Sequence, residues 1–278
     1  MIELPEAYVL AGQINDNLVG KTIKSAVANA SPHAFAMYTG DPAAYDGKLS
    51  GKKITGAAKP DAGYTCGGNV EINCGDMVLV ITTPIKYHAP KAKFPPKHQL
   101  LIQFDDLSHI SCTVQMWGCM YCMTTEEAAK PGSFYTERKP DPLTDEFDAA
   151  YFDLLWNAVK PNISVKAFLA TEQRIPGLGN GVLQDILWNA RIHPKKKLQD
   201  ITGAEKEQLF HSVKTTLLAM REQGGRDTER DLYGQKGGYK TVLSSKTIKN
   251  PCPACGDMIT REAYLGGNIY YCFGCQKL

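Results

Sequence analysis

Two different spacings of apolar residues divide this chain. From Lys21 to Met123, apolar positions alternate with polar ones or gather in short β-branched runs, in Lys21–Ala28, Met77–Thr83, Gln99–Asp105 and His109–Met123. That is the signature of half-buried strands. Asp105-Asp106-Leu107-Ser108 supplies a turn between the last two runs, and a helix is expected ahead of them over roughly Leu4–Asn17. These elements predict an antiparallel β-sandwich or barrel. Thr124–Pro142 is rich in proline and charge and has no period, so it reads as a linker. Beyond it the spacing becomes helical. Phe147, Tyr151, Leu154, Leu155 and Ala158 form one stripe, and Leu183, Ile186, Leu187 and Ala190 another. A third helix opens at Thr202, with Glu205 three residues on as the second half of a capping box, and runs through Leu209, Val213 and Leu217 to Gly224-Gly225. The expected architecture is α+β in two domains. Residues 1–123 form a helix and sandwich, 124–142 a linker and 143–247 a helical domain, followed by a cysteine-bearing tail at 248–278.

A length of 278 residues suits two domains. With 43% hydrophobic residues and no apolar run near the ~18–20 residues that span a bilayer, the composition excludes a membrane protein of helical type and a disordered chain. MIELPEAYVL has no basic region and no cleavage site, so a cytosolic protein is expected. The net charge of +2 conceals an asymmetry. Residues 1–150 carry 13 Lys+Arg against 17 Asp+Glu, and residues 151–278 carry 18 against 12. A polyphosphate partner on the second half and an ordinary solvated basic face both fit.

Four of the nine cysteines are arranged as Cys252-x2-Cys255 and Cys272-x2-Cys275, sixteen residues apart. Two such knuckles on a short hairpin can present four thiolates tetrahedrally to Zn2+ at about 2.3 Å. A disulfide is disfavoured in a cytosolic chain. With four protein ligands the metal would organise the hairpin and not catalyse. Cys119-x2-Cys122 lies in a strand-like run where residues three apart point to opposite faces. With Cys66, Cys74 and Cys112 it reads as buried apolar side chains. Arg174-Ile-Pro-Gly-Leu-Gly-Asn180-Gly181 links two helices through a glycine-rich turn, either an anion site at a helix N-terminus or a plain connector. Gly234–Thr241 resembles a phosphate loop, but Tyr239 stands where its second glycine belongs, which argues against nucleotide hydrolysis.

MIELPE at the start, RIPGLGNGVLQDILWNARIHP in the middle, CPAC…CFGC at the end and PPKH at Pro95–His98 together resemble the formamidopyrimidine-DNA glycosylase/endonuclease VIII (Fpg/Nei) family, in order and spacing over the whole length. The resemblance implies a β-sandwich, a helix-two-turn-helix domain and a zinc hairpin, with damaged double-stranded DNA between the domains. It implies excision of oxidised bases, or action at abasic sites. The lesion nucleotide is flipped out, the N-terminal amine attacks its sugar C1′, and a Schiff base and strand cleavage follow. A monomer is expected, nucleoid-associated if bacterial. Carried over by position, Glu3 is the general acid/base, Glu6 the carboxylate supporting the helix start, Lys59 the lysine reaching in from the β-domain, and Asn180 a phosphate donor. Glu3 and Glu6 also fit simple charge matching at a helix N-terminus, and Lys59 fits a solvated lysine.

The departures from the family lie at the chemistry. Position 2 is Ile2 in place of the usual proline nucleophile, and Met1 is expected to remain because its removal favours a small second residue. Asn268 stands where the hairpin carries a phosphate-gripping arginine. The strand motif that fills the gap left by the flipped base reads Gln115-Met116-Trp117-Gly118, so Met116 and Trp117 are either wedges between bases or core. Two functions follow: a DNA glycosylase and AP lyase acting through the amine of Met1 or Ile2, or a lesion-binding protein that keeps the fold and DNA-binding elements with impaired catalysis. A zinc-ribbon protein for RNA or a protein partner is the third.

Overall fold

Helix α1 (Leu4–Asn17) begins as expected, with Glu3 in extended backbone and Pro5 in the first turn, where its missing N–H leaves no bond unmade. Its apolar residues serve two cores. Ala7, Leu10, Ala11 and Ile14 pack into the β-rich half, whereas Leu4 joins the helical half. A computed structural model describes residues 2–58, 68–130 and 139–278. Met1, Lys59 and Cys66 lie outside the described residues.

The β-rich half continues through β1 (Ile23–Ala28), β2 (Ala36–Met37), α2 (Tyr45–Leu49), β3 (Ile54–Ala58), β4 (Val70–Cys74), β5 (Met77–Ile81), β6 (Ile85–His88), β7 (Leu100–Phe104), β8 (His109–Cys112) and β9 (Gly118–Thr124). The strands form two sheets, ordered β1-β7-β8-β6 and β2-β9-β5-β4-β3. Ile23, Ala26, Ile102 and Phe104 from the first sheet and Ile54, Ile72, Leu79 and Cys122 from the second share one core, which defines a sandwich. The pairing is antiparallel except for β2 and β9, parallel through Ala36 and Gly118.

The expected single strand over His109–Met123 is two strands in different sheets. Residues 113–117 carry the chain across, and Gly118 begins the new pairing so close to β5 that a Cβ there would lie 2.2 Å from Thr83 Cγ2. Alternation alone does not register this switch, because both strands keep their apolar positions. Cys74, Cys112, Cys119 and Cys122 are buried, as expected. The linker opens on a helical turn, α3 (Thr125–Ala129), fixed by a capping box of Thr124 and Glu127. Ala128 packs on the outer face of the second sheet at Val78, Val80 and Met123.

In the helical half, α4 (Ala149–Asn157), α5 (Val165–Ala170), α6 (Asn180–Asn189) and α7 (Gly203–Glu222) bury Phe152, Phe168, Leu183, Ile186, Leu187, Val213 and Leu217. The capping box of α7 is present with both halves made. The stripe expected on α4 is displaced: Leu154 is 62% exposed, and Phe152 points inward. Phe152 meets Phe168 and Phe210 there, and this aromatic cluster sets the rotation of the short helix. The tail forms a hairpin of β10 (Ile259–Tyr264) and β11 (Gly267–Cys272). Its two turn residues, Leu265 and Gly266, both have positive φ, the backbone a tight hairpin needs.

Between α7 and the hairpin the chain is irregular but tied down at several points. Tyr239 N donates to Gly225 O, and Gly238 N to Gln223 O. The buried Asp185 carboxylate accepts from Val242 N and Leu243 N at 2.9 and 2.8 Å. Leu232 is buried in the sandwich core, and its carbonyl accepts from Tyr87 N of β6 at 2.7 Å.

Candidate active site and nucleic-acid interface

The chain start is held between the two halves. Ile2 is buried in the sandwich core, and its N–H donates to Thr82 O at 2.9 Å. Thr82 in turn takes Cys119 N on its hydroxyl at 2.8 Å. The crossing loop of Met116 and Trp117 thus enters β9 beside the strand end that holds the N-terminus. Met116 is 72% exposed and Trp117 is half-buried.

Glu3 reaches the other way, into the first turn of α6. Gly181 N donates to its Oε1 at 2.9 Å and Val182 N to its Oε2 at 2.7 Å. The glycine-rich turn is therefore an anion site, and the anion it holds is the chain's own carboxylate. The glycine spacing has a steric cause. A Cβ on Gly179 would lie 2.3 Å from Glu3 Oε1, and one on Gly181 would lie 1.8 Å from a nitrogen of Arg226. Leu4 N completes the junction by donating to Gly177 O at 2.9 Å.

Arg226 is the member of this cluster that sequence reasoning missed. Its Nε and Nη2 donate to Glu6 at 3.0 and 2.8 Å, and its Nη1 lies 3.2 Å from Glu3 Oε2. Burial pushes the Glu3 carboxyl above the usual carboxylate range. Arg226 and the two amides pull it back, while Glu6 adds to the push. Two acidic residues in a buried first turn require a cation, but nothing local in the sequence says which.

On the other side of the same turn, Asn180 Nδ2 donates to Asn268 O at 2.9 Å, and Gln184 Nε2 to the same carbonyl at 3.2 Å. Gln184 Oε1 accepts from Tyr270 N at 2.9 Å. The turn and the hairpin tip thus meet, which brings two of the expected site residues together. Lys166 donates to the carbonyl of Tyr264 from beneath. Arg261 of β10 donates through Nε to Asn268 Oδ1 at 3.1 Å, so the tip carries an exposed guanidinium one strand away from the position where Asn268 stands.

At the base of the hairpin the sulfurs of Cys252, Cys255, Cys272 and Cys275 all lie within 4.8 Å of one another. Cys252–Cys275 and Cys255–Cys272 are 3.6 and 3.3 Å apart. Tetrahedral zinc at about 2.3 Å per bond places sulfurs roughly 3.8 Å apart, so the four thiols fit a metal ion. Trp188 of α6 donates its indole N–H to Cys252 Sγ at 3.4 Å. Glu3, Asn180, Asn268 and, through Arg226, Glu6 thus meet at the first turn of α6. Ile2 is held at Thr82 instead, and the cysteines lie against the other end of the helix at Trp188.

A sandwich, a helical half with a glycine-rich turn and a four-cysteine hairpin define a two-domain protein of helix-two-turn-helix architecture. A family model for the formamidopyrimidine-DNA glycosylase H2TH domain matches residues 139–230. The formamidopyrimidine-DNA glycosylase of Wolbachia pipientis subsp. Culex pipiens is 27% identical over 100% of both chains, and that of Corynebacterium glutamicum 25% identical over 100% of this chain and 99% of its own. Among solved structures, Lactococcus lactis Fpg in complex with abasic-site DNA superposes with a TM-score of 0.81 at 23% identity, covering 99% of this chain and 100% of that one. MutM (Fpg) of Thermus thermophilus gives 0.78 at 20%, covering 99% and 98%. Over its whole length the chain is thus similar to formamidopyrimidine-DNA glycosylases, and residues 139–230 match the H2TH domain of those enzymes.

Proposed function

We propose that this protein binds double-stranded DNA at oxidised or abasic sites, flips out the lesion nucleotide and excises the base, with AP lyase activity. The observation that carries the reading is the Glu3 carboxylate, fixed two residues from the chain start and against the turn that meets the hairpin tip. In the proposed reaction the N-terminal amine adds to sugar C1′ and the glycosidic bond breaks, its electron pair leaving with the base. Loss of the amine proton and opening of the sugar ring, with proton exchange through Glu3, give a Schiff base, and elimination then cleaves the strand. The burial of Ile2 N and its bond to Thr82 O favour Met1 as the bearer of the amine. Asn180, Asn268, Met116 and Trp117 would face the DNA, the first pair at phosphate and the second in the base stack. Zn2+ on Cys252, Cys255, Cys272 and Cys275 would hold the hairpin rigid against α6. The protein would act as a monomer in the cytoplasm.

The buried Ile2 nitrogen and the neutral Asn268 also support a second reading, a lesion-binding protein with impaired chemistry. Incubation with duplexes carrying single oxidised bases or an abasic site separates the two. Release of free base and a borohydride-trapped adduct, located by intact mass at the N-terminus, are expected of the enzyme. Salt-sensitive binding with the base left in place and no adduct would establish the second reading instead.

A further inference from the structure

Glu3 and Glu6 lie within one turn of each other, Glu6 buried and Glu3 with its side chain 12% exposed, and would repel if both were charged without a partner. What reconciles them comes from more than 200 residues along the chain. Arg226 is 3% exposed. It forms a fork on Glu6 through Nε and Nη2, donates its backbone N–H to Glu6 Oε1 at 3.2 Å, and turns Nη1 toward Glu3. Room for this is cut out of the first turn of α6, since any side chain at Gly181 would overlap the guanidinium. Burial opposes the charge of Arg226, but Glu3 and Glu6 outweigh it and hold the guanidinium charged. Glu229 of the same segment adds to that hold, and Asp185 of α6 also feels the arginine.

We propose that Arg226 is the positioning residue of this site: by gripping Glu6 with two nitrogens and Glu3 with the third, it fixes the Glu3 carboxylate in one orientation against the start of α6. The segment after α7 thereby sets the acid/base group of excision without touching the substrate. The inference rests on the reading of Glu3 as that group, but the hold itself is measurable without any activity. Withdrawing the cation beside Glu3 disfavours its charged form, since Arg226 is the partner that pulls its carboxyl down. Replacing Arg226 with an apolar side chain therefore moves Glu3 upward in pH, and a lysine, charged but unable to form the fork, moves it less.

The test is the 13C NMR titration of the Glu3 side-chain carboxyl, assigned by its loss in Glu3→Gln, in the full-length protein. Arg226→Met should raise the titration midpoint by at least about one pH unit, and Arg226→Lys by a smaller amount. Borohydride trapping on abasic duplex should show its Glu3-dependent limb move by the same amount and in the same direction, with partial recovery of rate in Arg226→Lys. If Arg226→Met does not fold, Arg226→Lys, which keeps the charge without the fork, carries the test and should still titrate above the wild type at Glu3. A folded variant whose Glu3 titrates where the wild type does overturns the proposal. A wild type that traps nothing at any pH and releases no base from oxidised duplex, while the titration moves as expected, supports the hold of Arg226 on Glu3 and removes the excision reading.

Discussion

The first turn of α6 has two neighbours that treat charge in opposite ways. On one side, Glu6 and Arg226 are buried and Glu3 is largely enclosed, with both Glu3 oxygens taken by amides of the turn and the arginine forked on Glu6. On the other, Asn180 reaches the hairpin tip through neutral amide and carbonyl groups, and the nearby cation, Arg261, is exposed and anchored by one nitrogen. The first arrangement is saturated and responds to packing and pH. The second leaves donors pointing outward and responds to salt. In this chain a closed charge cluster and an open polar contact lie on opposite sides of one helical turn.

Removing the tip's support should have the largest effect. Structural zinc sites contribute about 10–16 kcal/mol to the folding of small modules, so Cys272→Ser should lose metal, hairpin order and affinity for abasic duplex together, read by metal analysis, amide exchange and binding. Unchanged affinity after metal loss would remove the hairpin from the DNA surface. Gly181→Ala strikes the saturated side. Overpacking there should cost about 1–3 kcal/mol, measured by denaturant unfolding, with a loss nearly independent of salt. A loss that faded between 0.05 and 0.5 M salt, roughly the range over which surface charges are screened, would show that the cluster is not sealed. The smallest effect belongs to Arg261→Gln, which should weaken binding by about fivefold to tenfold and reduce the slope of affinity against salt by about one. It should leave stability unchanged, and an unaltered slope would mean that this guanidinium meets no phosphate.

What could be read in advance follows from how local each signal is. The bounds of α1 and the capping box of α7 depend on residues within one turn, and both were legible. The four cysteines announce a ligand set because metal chemistry fixes their spacing. The crossing from β8 to β9 was illegible, since the choice of sheet depends on strands elsewhere in the chain. The glycine turn could be read as an anion site or as a plain connector, and neither the choice between them nor the occupant was legible. Glu3 seals it from 178 residues away, and Arg226 finds Glu6 across 220. Glu3, Glu6, Asn180 and Asn268 were named from a resemblance, and Arg226 lay outside the quoted motifs.

Leu232 completes the hydrophobic interior of the sandwich although it belongs to the segment after α7. Cut at the linker, the first 130 residues would carry a leucine-sized hole and, on the outer side of α1, an uncovered Leu4. Such voids are costly in close-packed protein. Neither half is a finished object, and anyone dividing this chain into working pieces must carry the plug along with the socket.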